Sequence, residues 1–176
     1  MSATVAVAVL ILRVVAGLTV ASHGAQKLFG WFGGPGMTTW EQGLQKQGFK
    51  PARLWAYMTI LGELGGGLSL AFGLLTPLGA AGVFGAMLMA IIMVHWKNGF
   101  FNSKRGIEFP LALLSIATAI GIAGSGPLSL DQLFGIMLPY PWLFVGLAIL
   151  AILADIVGLA IKRANTAPAP ATHAPA

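Results

Sequence analysis

Three charged side chains, Arg13, Glu63 and Asp155, stand inside long apolar stretches of the chain. A charge held at the centre of a bilayer costs about 2.5–3.5 kcal/mol on insertion scales, so each of these groups must be paired or used. Arg13 lies ten residues before His23, roughly 15 Å along a helix. Glu63 lies nine residues after Leu54, at nearly the same depth. Asp155 precedes Lys162 by seven residues, roughly 10 Å of helix rise. The spacing therefore predicts an intramembrane ion pair between Arg13 and Glu63, with Asp155 close by. Such a pair fixes helix register, or it serves as a proton or ligand site.

A second polar set falls at the ends of the apolar stretches: His23, Lys27, His95, Asn98 and Glu108. Two histidines and a carboxylate suggest metal ligation. No local ligand spacing supports it, and no metal is expected. A histidine at a helix C-terminus more often stabilises the helix end. The alternative is a polar recess that accepts a headgroup, a quinone ring or another small ligand. The chain has no cysteine, which removes disulfides, thiolate metal sites and thiol redox chemistry. It contains no phosphate-binding glycine loop, nucleophile elbow or carboxylate dyad. Its loops are too short to hold a catalytic domain, so no independent enzyme activity is expected.

The elements that must position these groups follow from composition. Hydrophobic residues make up 57% of the 176 residues and charged residues 9%, with a mean hydropathy of +0.84. Soluble domains carry about 25% charged residues, so most of this surface faces something other than water. Five apolar runs, at about 5–22, 54–75, 78–95, 107–124 and 142–161, are each long enough to cross a hydrocarbon core of about 30 Å. Backbone groups in lipid need internal partners, so the runs are predicted as helices. Thr76-Pro77 makes the second and third an antiparallel hairpin. The first run has no Lys or Arg before it and carries Arg13 within it, which predicts a retained helix rather than a cleaved leader. Residues 164–176 are Ala/Pro-rich and are expected to be disordered.

Net charge is +5. With five helices every loop Lys and Arg falls on one side. That side is expected to be cytoplasmic, with the N-terminus outside, and nucleic-acid binding is not expected. In the long first loop, Thr38 or Thr39 is expected to cap a short helix bearing Trp40 and Leu44. Trp31, Trp40 and Trp55 are expected at headgroup level. Gly62 with Gly66, and Gly82 with Ala86, form small-residue faces for close helix packing, with a homodimer as a second use of such faces.

The stretch His23-Gly24-Ala25-Gln26-Lys27-Leu28-Phe29-Gly30-Trp31-Phe32-Gly33-Gly34-Pro35-Gly36 resembles the signature of the DoxX family of small membrane proteins. Gly62-Glu63-Leu64-Gly65-Gly66, His95-Trp96-Lys97-Asn98-Gly99-Phe100-Phe101, Glu108-Phe109-Pro110 and Ser129-Leu130-Asp131 resemble its later motifs. Phe109 stands where many members carry Tyr. The resemblance implies a four-helix transmembrane core over residues 1–133. The helix at 142–161, within residues 134–163, is an addition to it. It further implies a plasma (inner) membrane location of bacterial type and a link to redox metabolism. The expected role is a non-catalytic subunit or scaffold with a protein partner at the cytoplasmic face. The alternatives are a quinone- or lipid-binding subunit of a membrane oxidoreductase, or a small transporter.

Overall fold

The computed structural model describes residues 1–167, and over them the chain is helical with no strand. α1 (Ala3–Phe29) is capped at its start by the Ser2 hydroxyl and stopped by Gly30 in the left-handed conformation, φ 74°. It continues seven residues past the end of the apolar run, about 10 Å at 1.5 Å per residue, because the less apolar stretch from Ser22 to Lys27 stays helical. α2 (Gly36–Lys46) is the short loop helix. Its cap is Pro35, not Thr38 or Thr39. Leu44 on this helix is buried.

α3 (Ala52–Ile60) passes through a π-helical turn (Leu61–Gly65) into α4 (Gly66–Phe72), making one rod that ends at left-handed Gly73. α5 (Thr76–Ala90) likewise runs through a π turn (Ile91–His95) and a 3-10 turn (Trp96–Asn98). α6 spans Glu108–Ala123, α7 is the short Leu130–Leu133, and α8 spans Trp142–Thr166. α8 runs past residue 164, where the disordered tail was expected to start, and residues 168–176 of that tail lie outside the described residues.

Three helices, Ala3–Phe29, Thr76–Asn98 and Trp142–Thr166, are each long and apolar enough to cross a membrane, and Glu108–Ala123 is a shorter apolar helix. All-round apolar rods expose large side chains such as Ile11, Leu61 and Leu150, the reverse of a water-soluble surface.

Close packing rests on small residues. Gly17 and Gly24 of α1 touch the backbone at Ala71 and Leu64, where a Cβ would sit 2.6 and 2.4 Å from the respective backbone nitrogens. The Gly62 and Gly82 faces meet as expected, with a Cβ on Gly62 placed 3.0 Å from the Gly82 carbonyl. α8 joins the same body: Gly85 faces Ala151, and Phe144 fills a core with Leu70, Ala80 and Ile120.

Candidate functional site: a polar-ended groove

The register of α1 against α4 decides the first ion pair. Gly24 packs on Leu64, so Lys27, one turn further along α1, reaches the neighbouring Glu63. The Lys27 ammonium and Glu63 Oε1 form the only salt bridge among the described residues, with the two side chains 18% and 4% exposed. The ammonium also lies 4.5 Å from the centre of the Trp40 ring. Trp40 is thus held inward by α2, and Trp55 is buried against Phe49 at 5.7 Å between ring centres. Trp55 is thus in a core with Leu44 and Ala56 rather than exposed at headgroup level, and Trp40 packs partly buried against that core. Trp31 remains exposed.

The expected Arg13–Glu63 pair is not formed. Arg13 is 1% exposed and points to the opposite end of the bundle. There its Nη1 donates to the Ser125 carbonyl and its Nη2 to the Leu128 carbonyl, the latter at 2.6 Å. The physical reason is the extra length of α1. It moves the Phe29 end of the helix away from Arg13, whose long side chain reaches the loop after α6 instead. Asp131 lies within electrostatic reach of the guanidinium. Its carboxylate accepts from the Leu75 and Thr76 amides at 2.7 and 3.1 Å and from the Thr76 hydroxyl at 2.8 Å, capping α5 from another segment. Asp155 joins neither ion: it makes no hydrogen bond, and its Oδ2 is buried without a partner.

The second predicted set divides. His95 Nδ1 lies 2.7 Å from the Arg105 carbonyl, Asn98 Nδ2 donates to the same carbonyl at 3.1 Å, and Glu108 Oε2 accepts from the Asn102 amide at 2.8 Å. These three organise the 99–107 loop. His23 bonds Gln26 at 3.2 Å and meets Phe109 edge-on at 6.0 Å. Lys27 leaves the set for Glu63. No group of three or more His, Cys, Asp or Glu among the described residues is placed to hold a metal ion.

Three of the eight predicted site residues, Lys27, Glu63 and Asp155, line a groove of about 940 Å³ along α3–α4, α5 and α8. Along the α3–α4 rod Trp55 lies towards one end of this lining, with Lys27, Trp40, Gln47 and Asp155 also among it, Glu63 stands midway, and Leu68, Ser69, Phe72, Leu74, Leu75 and Leu78 line the other end. Trp55 to Phe72 alone spans about 25 Å of helix rise. Both π turns contribute to the wall, through Leu61, Glu63 and Met93 among others; such turns often mark functional sites because they displace side chains from helical register. Trp40 Nε1, Trp55 Nε1, Glu63 Oε2 and Asp155 Oδ2 are buried without hydrogen-bond partners, and all four residues line this groove. A buried polar atom left unpaired costs about 1–3 kcal/mol. Four of the five such atoms among the described residues belong to this groove's lining, contributed by α2, α3, the first π turn and α8.

The DoxX family model matches residues 8–96, half of the chain. The chain belongs to the DoxX family. The match covers α1 through the end of the α5 rod, and therefore Lys27, Glu63 and both indoles of this DoxX groove. Glu108, Asp131 and Asp155 lie beyond it. No curated protein and no solved structure matches the chain.

Proposed function

We propose that this multi-pass DoxX protein is a non-catalytic membrane subunit that holds a lipid-like molecule in the α3–α5–α8 groove, head towards Lys27 and Glu63 and tail towards Leu75. The observation carrying this reading is the groove's polarity: unpartnered donors and acceptors at one end, an apolar length beyond them. The quinone class fits it, since two indole N–H groups can meet ring carbonyls and the apolar length suits a prenyl tail. Such a group would supply two-electron redox chemistry to a partner; this chain's residues orient it and keep water from its ring.

In this reading five helical rods cross a bacterial-type inner membrane. Nine of the ten Lys and Arg residues, all but Arg13, lie at one end of those rods. That end faces the cytoplasm by the positive-inside rule, with the N-terminus outside. Exposed aromatics at the same end, among them Trp31, Phe32 and Trp96, favour a second role there as a scaffold for a partner in redox metabolism.

Mild purification from native membranes, wild type beside Glu63→Gln, tests both. Mass spectrometry is expected to find a quinone or lipid with the wild type and a reduced amount per mole of purified, folded variant. Equal loading in the two would remove the groove reading. A stable protein partner with no small molecule in either would leave the scaffold.

A further inference from the structure

α8 lies wholly outside the family-matched residues, yet it completes one wall of the groove. Ala151, Asp155 and Gly158 follow one another at helical spacing. Ala151 meets Gly85 of α5, and a Cβ on Gly158 would fall 2.8 Å from the Trp55 ring. This face is therefore locked against α3 and α5, and Asp155, between the two contacts, lines the groove.

The groove has two cations near its polar end. Lys27 is taken by Glu63. Lys162, two turns along α8 from Asp155, has its Nζ 3.5 Å from Met93 Sδ. Asp155 has neither a cation nor a hydrogen bond. The polar end thus holds one neutralised pair and one carboxylate free to accept. Trp55 and Glu63, both more than nine-tenths buried with unpartnered polar atoms, add a donor and an acceptor on the facing wall. Rotation of a carboxylate about its broad terminal torsion turns either oxygen towards the groove.

From this placement we infer that Asp155 is a specificity-determining residue: it selects an occupant whose head donates a hydrogen bond, a hydroxyl or ammonium, over one of the same shape with acceptors only. A hydroxyl satisfies both sides at once, donating to the Asp155 carboxylate and accepting from an indole N–H. A carbonyl or ether head leaves the carboxylate desolvated and unpaired, and sites of that kind discriminate strongly. Within the quinone class the preference is for the reduced, dihydroxy form. The inference rests on the groove reading above and adds to it the donor preference and its source on α8.

The test uses the full-length protein in nanodiscs with two probes that differ by one methyl group, 4-dodecylphenol and 4-dodecylanisole. Binding is read from the fluorescence of the groove tryptophans. Wild type is expected to bind the phenol about tenfold more tightly, the upper end of what one hydrogen bond contributes. Asp155→Leu is expected to bring the ratio to within about threefold while still binding both probes. Asp155→Asn, which keeps the shape, is expected to fall between. Equal binding of both probes to wild type would overturn the Asp155 inference and leave the groove reading standing. So would a preference that survives in Asp155→Leu. Binding of neither probe would overturn both.

Discussion

At the scale of single residues, the polar groups of this protein divide into satisfied and unsatisfied. Lys27 and Glu63 are a nearly buried pair, so removing one partner leaves an uncompensated charge. Lys27→Met is expected to destabilise the fold by about 3–5 kcal/mol. Lys27→Met with Glu63→Gln is expected to recover most of that loss, because no charge is then left buried. Thermal unfolding of the two variants in the same detergent checks this; a single variant as stable as wild type would refute the pairing. Arg13 differs in kind. Its partners are backbone carbonyls, and its work is to tie the loop after α6 to α1.

At the scale of elements, stability depends on backbone approach and capping. A side chain at Gly24 would meet the Leu64 backbone, so Gly24→Val is expected to cost about 1–3 kcal/mol by pushing α1 off α4. It should also weaken the Lys27–Glu63 contact one turn away. Leu75, the residue before α5, has φ 50° and no side-chain cap of its own; Asp131 of α7 does that work. Asp131→Ala is expected to cost about 0.5–2 kcal/mol. Beside it, Tyr140 Oη lies 3.5 Å from Asp131 Oδ2. Burial pushes the Tyr140 phenol up from its ordinary 10.0, with the nearby Thr76 and Ser125 side chains acting in the opposite direction. A phenol whose folded value is raised keeps its proton when the unfolded chain has lost it, so the folded state loses stability as pH rises above about 10. Melting curves of Tyr140→Phe and wild type are expected to diverge from neutral to alkaline pH, the wild type falling further. Parallel curves would mean the phenol is not held neutral by the fold.

At the scale of the whole molecule, the cation-bearing end sets the orientation to be tested. The chain has no cysteine, so single-cysteine variants report cleanly. Ser103→Cys on the cation-bearing end is expected to resist a membrane-impermeant maleimide in intact cells, and Gln132→Cys on the other end to react. The opposite pattern would invert the topology. α8 packs along α5 and bonds back to the first loop through Asn165 Nδ2 and the Gly48 carbonyl at 3.0 Å. It is therefore part of the bundle rather than an appendage.

The sequence alone determined the helical membrane character, the family and the segregation of cations to one end, because each is written in runs of residue type along the chain. The Thr76-Pro77 hairpin and the meeting of Gly62 with Gly82 were legible for the same reason, since turn chemistry and small-residue spacing are local. Pairing between distant residues was not. Depth along an assumed helix placed Arg13 beside Glu63, but a seven-residue extension of α1 changed the register, and the glycine contacts of α1 with α4 then chose Lys27. Backbone carbonyls that receive Arg13 carry no residue signature, and a π turn leaves no mark in hydropathy. The groove exists because α8 folds back beside Trp55, bringing together residues a hundred positions apart in the chain. That proximity belongs to the tertiary structure, which decides which polar atoms find partners and which are left waiting for one.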